Sequence, residues 1–322
     1  MELNSLYYFS ELAKDLNMTR TAQRLFISQQ TLSNHIARLE DYYGTRLFNR
    51  KPALSLTPAG RTVLAFAENT SLENERLKNE LSDILGLESG TLRIGGNYVR
   101  LHAFITRRLH VFMKRYPRVF IEVQDMMTTP QLENGLLKNE LDIAAVIRGK
   151  EHRRLLYQPV MTDEIFLCVS DSLLRTYYGN EAETIRERSI RYGANLKDFE
   201  KLPFYLFDNV RGRQIDTCFE EAGVVPNVAI RGVYTHNATE LCYQGMVASF
   251  LSRLNLTEPS RTMPPDLGVY RLLYRGKPLT QEILLARNRD NYVPRYADYL
   301  WEPMKTSYGE IGAIPLESRL PD

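Results

Sequence analysis

Apolar residues recur at three- and four-residue steps through the first part of the chain, which is the spacing that buries one face of a helix. Between Leu3 and Leu16 this spacing predicts a first helix. The pattern then breaks, and Thr19 is expected to cap a short second helix. Ser28 is predicted to cap a third helix that runs through Glu40. The N-terminal residues are therefore predicted to form a small all-α domain.

The third predicted helix has an unusual polar face. Leu32, Ile36 and Leu39 define its buried side. The opposite side carries Gln30 and Asn34, where an ordinary surface helix would carry Glu and Lys. Amide side chains pair bidentately with adenine edges, and hydroxyl groups hydrogen-bond to any base. The pattern therefore predicts a helix-turn-helix whose third helix enters the major groove of DNA.

Two short extended runs around Pro52 predict a small hairpin, or wing, after the third helix. Basic side chains at its tip suit contacts with phosphates or the minor groove. From Lys14 to Arg61 there are eight basic and three acidic residues, an excess of five positive charges that suits a phosphate backbone. The predicted DNA-binding residues are Thr19, Gln29, Gln30, Thr31, Ser33, Asn34, Arg38, Arg50 and Lys51.

A long helix is predicted after the wing, with Thr57 as N-cap and Pro58 at its first position. It runs to about Leu85 without Gly or Pro and would span about 40 Å. Its apolar stripe, which includes Leu77 and Leu81, is too long to be buried by so small a domain. A partner helix from a second chain is therefore expected, and packing on the same chain is the alternative.

The rest of the chain alternates short apolar runs with helical patterns, which predicts βαβ units and a parallel-rich sheet. The expected fold class is α/β with an N-terminal all-α winged helix-turn-helix. The predicted divisions are a DNA-binding domain at 1–60, a linker and dimerisation helix at 58–87, a second domain at 90–305 and a loose tail at 306–322.

The N-terminal pattern closely resembles the LysR-type transcriptional regulators. The resemblance rests on Ser28-Gln29, Leu32-Ser33, Gly44, Leu47-Phe48 and the run from Leu56 to Gly60, and it extends more diffusely to about residue 302. It implies that the second domain is a two-lobed effector-binding domain like that of periplasmic binding proteins. Lobe I would comprise about 90–165 and 268–302, and lobe II about 166–267. Gln30 and Asn34 depart from the family's common residues, and 178–197 reads as a surface insertion.

The resemblance also implies an effector in the cleft between the lobes, outside the strand ends. Arg100 or Arg148 would supply the counter-charge if the effector is a carboxylate. In the alternative interpretation, Thr128 and Thr129 cap the next helix and Arg148 is a solvated loop residue. The effector-lining residues implied by position are Asn97, Tyr98, Arg100, Thr128, Thr129, Ile147, Arg148, Phe207, His236 and Asn237.

Other chemistry finds little support in the sequence. The three cysteines lie far apart, which favours small buried side chains over zinc ligands or disulfides, although a redox pair of Cys218 and Cys242 is an alternative. Nucleotide-binding, zinc-protease and esterase motifs are not found, so no enzyme activity, cofactor or metal is expected. A solute-binding protein or another winged-helix regulator, such as a molybdate-responsive type, remains the alternative class.

The expected partners follow from these assignments. They are double-stranded DNA at a promoter or operator, a small-molecule effector, a second copy of the chain in a homodimer or homotetramer, and RNA polymerase if the protein activates transcription. The sequence shows no secretion signal and no apolar run long enough to span a membrane, so a cytoplasmic location without a membrane partner is expected.

Overall fold

The computed structural model describes residues 3–126, 128–258 and 261–316. The chain divides into two compact units after Thr91, with Lys138–Glu140 grouped with the first unit. The first unit comprises α1 Leu3–Asp15, α2 Met18–Arg24, α3 Gln29–Tyr43, β1 Phe48–Asn49, β2 Ser55–Leu56 and α4 Pro58–Ile84. This order confirms the winged helix-turn-helix followed by a long helix.

The apolar faces of α1 and α3 form the core of the first unit. Phe9 and Leu32 are fully buried in it. The Phe9 ring packs on Phe48 of the wing, with the ring centroids 5.3 Å apart. Glu40 of α3 accepts hydrogen bonds from the backbone N–H groups of Leu47 and Phe48 at 2.8 and 3.2 Å. These contacts join the base of the wing to α3.

Two of the three predicted helix caps of this unit are correct. The side chains of Ser28 and Thr57 accept hydrogen bonds from the backbone at the third positions of α3 and α4. The predicted cap Thr19 is wrong, because α2 begins at Met18 and the Asn17 side chain caps it. An asparagine is as good a cap as a threonine, so the sequence contained two candidates two residues apart.

Helix α4 leaves much of its apolar stripe exposed. Its buried residues near the N-terminus include Val63 and Ala67, which pack in the core of the first unit. Further along, Leu77, Leu81 and Ile84 are 53%, 48% and 64% exposed in the single chain. Its 27 residues span about 40 Å, as predicted.

The second unit is built on a mixed sheet that has nine strands in the described part of the chain. Its strands are β3 Ser89–Gly96, β4 Arg118–Asp125, β5 Ile143–Ile147, β6 Leu155–Ser170, β7 Pro203–Phe207, β8 Asn227–Gly232, β9 Ala248–Ser252, β10 Leu267–Arg271 and β13 Thr280–Asn288, and a separate hairpin is formed by β11 Leu273–Tyr274 and β12 Lys277–Pro278. Its helices are α5 Tyr98–Arg115, α6 Thr129–Leu137, α7 Asp171–Tyr178, α8 Glu181–Tyr192, α9 Val210–Ala222, α10 Thr235–Tyr243, α11 Arg253–Leu256 and α12 Arg295–Gly312.

The strand order is β4-β3-β5-β13-β6-β9-β7-β8, with β10 also paired to β6. Strand β3 runs parallel to β5, and β7 runs parallel to β8 and β9, as the strand–helix alternation predicts. Strands β6, β10 and β13 pair antiparallel with their neighbours. Each parallel set therefore has its strand ends, and the helices that follow them, on one side of its lobe.

Strand β6 is the shared element of the two lobes. Residues 155–164 pair with β13 in lobe I, and residues 165–168 pair with β9 in lobe II. Strand β10 pairs with residues 166–170, so it belongs to lobe II. The predicted return to lobe I at residue 268 is therefore wrong, because the return comes with β13 at Thr280. Only a short hairpin separates these two apolar strands, so the sequence pattern does not divide them.

The predicted loose tail at 306–322 is also wrong over the residues that the structure describes. Helix α12 continues to Gly312, Tyr308 is fully buried in lobe I, and Leu316 is 7% exposed in the core of lobe II. The glycines suggest a loop, but apolar residues continue at helical spacing to Ile311 and fix the helix on α5. Residues 317–322 lie outside the described residues.

The charged segment 178–197, predicted as a surface insertion, contains helix α8. Ala182 and Ile185 of this helix are buried in the core of lobe II, and its charged residues lie outside. The segment is therefore part of lobe II rather than an isolated loop.

Candidate DNA-binding face and interlobe site

The polar face of α3 is exposed, as its residue pattern predicts. Its N-terminal turn follows directly after α2, which contacts α3. Ser33 is half-buried, and the exposed members of the predicted set on this helix are Gln29, Gln30, Thr31, Asn34 and Arg38.

Hydrogen bonds connect several of these side chains to one another. Gln30 Nε2 donates to Asn34 Oδ1 at 3.2 Å, and Thr19 Oγ1 donates to Gln29 Oε1 at 3.3 Å. Thr19 thus joins the face of α3 through a contact rather than as a helix cap. These bonds order the amide groups of this face.

The wing brings basic side chains beside α3. Arg50 lies 3.6 Å from Glu40 of α3 and remains 60% exposed at its side chain, and Lys51 is exposed next to it. Part of the N-terminal positive charge is used inside the domain instead. Arg24 of α2 pairs with both Glu11 and Asp15 of α1, so it connects two helices. The basic side chains that remain exposed near this face include Arg38 on α3 and Arg50 and Lys51 on the wing.

The interlobe site begins where strands end and helices start. Strand β3 is followed by Asn97, whose side chain accepts a hydrogen bond from the Arg100 backbone at 3.1 Å. Strand β7 is followed by Asn209, whose side chain accepts one from the Gly212 backbone at 3.1 Å. Each lobe thus presents an asparagine-capped helix N-terminus with an arginine in its first turn, Arg100 in α5 and Arg211 in α9.

Two of the predicted effector residues of lobe I contact each other. Thr129 Oγ1 accepts a hydrogen bond from the backbone N–H of Ile147 at 3.2 Å, which joins the start of α6 to the end of β5. Thr128 instead exchanges hydrogen bonds with Gln131, the arrangement of a helix cap. The alternative interpretation, in which this residue caps the following helix, is therefore the correct one for Thr128.

The two candidate counter-charges differ in their surroundings. Arg148 is exposed and pairs with Glu282 and with Glu151, so its charge is already compensated at the surface. Arg100 is only 3% exposed, and burial lowers its pKa to about 10, with a further contribution from the charge of Arg211. Of the two, Arg100 is the one whose charge has no partner at ion-pair distance among the described residues.

The remaining predicted residues are divided between the core and the surface. Phe207 is 1% exposed and packs in the lobe II core, so its side chain does not line a cleft. Its position at a strand end suggested a lining role, but the last four residues of β7 are all buried, so both faces of this strand are covered. Asn237 is exposed in the first turn of α10.

Tyr98 and His236 contact a pair of charged residues. Tyr98 donates a hydrogen bond to Glu258 at 3.1 Å, and Arg261 lies 3.5 Å from the same carboxylate. Arg261 also contacts His236 of α10. Tyr98 from lobe I and His236 from lobe II are thus linked through Glu258 and Arg261.

Comparisons with known proteins agree with this architecture. The family model described as bacterial regulatory helix-turn-helix protein, lysR family, matches residues 3–61. The model described as LysR substrate binding domain matches residues 85–307. The chain belongs to the LysR family. Its members are DNA-binding transcriptional regulators with an effector-binding domain, so the alternative classes, a solute-binding protein and another type of winged-helix regulator, are excluded.

Individual relatives of this LysR-family protein are described as HTH-type transcriptional regulators. It is 29% identical over 178 residues to the HTH-type transcriptional regulator YkuM of Bacillus subtilis, covering 53% of this chain and 60% of that protein. It is 24% identical to the HTH-type transcriptional regulator CysB of Haemophilus influenzae over 71% of this chain and 68% of that protein. The aligned part thus spans only about three-fifths of YkuM.

Among solved structures, full-length CbnR complexed with its target DNA superposes with a TM-score of 0.67. The sequences are 20% identical, and the match covers 95% of this chain and all of the CbnR chain. At this identity the likeness shows the fold.

The cysteines of the LysR-family protein are free and buried. Cys242 Sγ lies 3.4 Å from the carbonyl oxygen of Cys168. Burial raises the pKa of Cys218 to about 11 and that of Cys242 to about 12. Since the thiolate is the reactive form, these thiols are poor redox groups, which favours the interpretation as small buried side chains.

Sequence reasoning missed Arg211 and Asp163. Arg211 lies two residues after Asn209 and Arg100 lies three residues after Asn97, so the available signal was an arginine soon after an asparagine that follows a predicted strand. Asp163 lies within an apolar strand, where a carboxylate is rare unless it has a role.

Among residues 3–126, 128–258 and 261–316, no cluster of His, Cys, Asp and Glu has the arrangement of a metal site, and no helix is long and apolar enough to cross a bilayer.

Proposed function

We propose that this regulator binds operator DNA through the exposed polar face of α3. Gln29, Gln30, Thr31, Ser33 and Asn34 would lie against base edges in the major groove. The observation that supports this most directly is the uncharged, hydrogen-bonded amide face at the N-terminal end of α3. CbnR, whose fold is similar, has been solved with its target DNA, which makes the same mode of binding reasonable for this chain.

The basic side chains around this face would supply sequence-independent affinity. Arg38 lies on α3, and Arg50 and Lys51 extend from the wing, where they would contact phosphates. The uncharged amide side chains of α3 cannot themselves provide much electrostatic affinity, so Arg38, the wing and a second DNA-binding domain in the assembly must provide it.

We further propose that the protein works as a homodimer, or as a homotetramer of two such dimers. The apolar stripe of α4 supports this, since exposed leucines at helical spacing suit a partner helix from a second copy. Two copies would then bind the two halves of a pseudo-palindromic operator. In an activator, RNA polymerase would be a further partner.

A small-molecule effector is proposed to bind between the two lobes, near the N-termini of α5, α6, α9 and α10. Helix N-termini carry partial positive charge and free N–H groups, and the strand ends of both lobes lead to them. We assign the protein a regulatory rather than an enzymatic role, in the cytoplasm where chromosomal DNA is accessible.

The DNA-binding proposal is tested by measuring the affinity of the full chain for the promoter region next to its own gene. Gln29→Ala should weaken binding about tenfold or more at constant salt, since a bidentate base contact contributes about 1–3 kcal/mol. Gln244→Ala, an exposed glutamine in lobe II, is the matched control and should bind as the wild type does. Unchanged affinity of the Gln29 variant would refute the assignment of α3 to the groove.

A further inference from the structure

We propose that the effector is an anion, held between Arg100 of lobe I and Arg211 of lobe II. This inference rests on the proposed interlobe site and names the chemistry of its ligand. A carboxylate, phosphate, phosphonate or sulfate group would each satisfy it.

Arg100 is buried without a partner for its guanidinium. The residue is 3% exposed, and its Nε atom is buried without a hydrogen bond. The Tyr308 hydroxyl donates a hydrogen bond at 2.8 Å to the backbone carbonyl oxygen of Arg100, so this bond does not involve the guanidinium. A buried charge without a partner is unfavourable, so a residue in this state points to a ligand that completes it.

Arg211 is the corresponding residue of lobe II. It lies in the first turn of α9, which has 13 residues, as Arg100 lies in the first turn of α5, which has 18. One of its nitrogens donates to the side chain of Asn255 at 3.2 Å. Both helix N-termini add partial positive charge in the same direction as the arginines.

The local charges do not balance. Asp163 of β6 is 1% exposed and is the acidic residue that favours the charged form of both arginines. Its carboxylate accepts a hydrogen bond from the backbone of Leu254 at 3.1 Å. Among the described residues, no carboxylate lies within ion-pair distance of either guanidinium. Burial raises the pKa of Asp163 and lowers that of Arg211, as expected when buried charges are incompletely compensated. Asp125, which also favours the charged form of Arg100, is exposed, and Arg100, Arg211 and Asp163 by themselves leave one positive charge.

An anion would supply the missing charge. Guanidinium groups bind oxyanions through paired N–H donors, so two arginines from opposite lobes can hold one ligand from both sides. A neutral effector would leave the excess charge buried. Arg148, the other basic residue considered for this role, is already paired with Glu282 and Glu151 and contributes nothing to the excess.

The first test uses the ligand-free protein. In Arg100→Met the buried cluster keeps one cation and one anion, so the variant should melt about 2–4 °C higher than the wild type in buffer without oxyanions. Arg148→Met, which removes an exposed paired arginine, is the control and should not be stabilised. A lower melting temperature for Arg100→Met, or failure to fold, would show that Arg100 holds the structure together and would overturn the proposal.

The second test uses sodium sulfate as the probe, compared with sodium chloride at equal ionic strength. Sulfate stabilises most proteins by exclusion, so the difference between variants is the informative quantity. The wild type and Arg148→Met should show an additional, saturable rise in melting temperature, and Arg100→Met and Arg211→Met should lose it. A wild type without the additional rise, or an equal rise in all four proteins, would overturn the proposal. Operator affinity, measured separately on the same proteins, shows whether the proposed DNA-binding function fails independently.

Discussion

Gln30 Nε2 donates a hydrogen bond to Asn34 Oδ1, one turn further along the exposed face of α3, at 3.2 Å. The pair leaves the carbonyl oxygen of Gln30 as an acceptor and the amide nitrogen of Asn34 as a donor. An adenine presents a complementary N6 donor and N7 acceptor in the major groove. Two side chains joined in this way can bind one base as a unit.

The first prediction concerns this unit. Gln30→Ala and Asn34→Ala should each weaken operator binding by about 1–3 kcal/mol, and the double variant should weaken it by little more than either single variant. Affinities of the four proteins for the same operator, measured at one salt concentration, give the coupling energy. Fully additive losses would show that the two amides contact separate bases.

The second prediction concerns the wing. Arg50→Gln should weaken binding to operator and non-operator DNA by similar factors, because a phosphate contact carries no sequence information. The slope of log affinity against log salt should become shallower by about 0.9, the value for one phosphate contact. Lys14→Gln is the control, since Lys14 lies on α1 away from the wing and its charge is already paired with Glu11, 2.6 Å away. An unchanged slope for the Arg50 variant would place this side chain away from the DNA backbone.

The third prediction concerns acid stability. Arg24 donates to Asp15 from Nε at 3.0 Å and from Nη2 at 2.7 Å, and with Thr21 it lowers the pKa of Asp15 below its ordinary value of 3.8. Because the folded state lowers this pKa, its stabilising contribution is complete above pH about 4 and disappears as the pH falls further. Asp15→Asn should therefore melt below the wild type at pH 7, and the difference should shrink at pH 3.

The measurement is thermal unfolding followed by circular dichroism at both pH values. Asp41→Asn, an exposed position on α3, is the control and should melt as the wild type does at pH 7. A difference between Asp15→Asn and the wild type that is equal at pH 7 and pH 3 would mean that the ionised carboxylate is not what stabilises this contact.

The first unit was largely predictable because its signals are local. The stripe of Leu32, Ile36 and Leu39 and the caps Ser28 and Thr57 each determine structure within a few residues. Thr19 is the exception, since Asn17 offers the same cap chemistry and competes for the same helix start. Where two local choices are nearly equal in free energy, sequence spacing alone does not decide between them.

The second unit was less predictable because its defining contacts are distant in sequence. Strand β10 joins the sheet of lobe II by pairing with β6, about 100 residues earlier. The interlobe cluster combines Arg100, Asp163 and Arg211, which lie far apart in the sequence. Leu316 is buried against lobe II although it follows a helix of lobe I, so its packing depends on the finished fold.

The fourth prediction concerns assembly through α4. Leu81 is 48% exposed in the single chain and lies one turn from Leu77 in the same stripe. Burying a leucine stabilises an interface by about 1.5–3 kcal/mol, and a two-fold symmetric dimer buries it twice. Leu81→Lys should therefore raise the dimer dissociation constant by at least about a hundredfold. Sedimentation equilibrium of the full chain measures it, with Ser71→Lys, an exposed position on another face of α4, as the control. Should Leu81→Lys remain as dimeric as the control, α4 would not be the dimer interface, and its apolar stripe would need another partner.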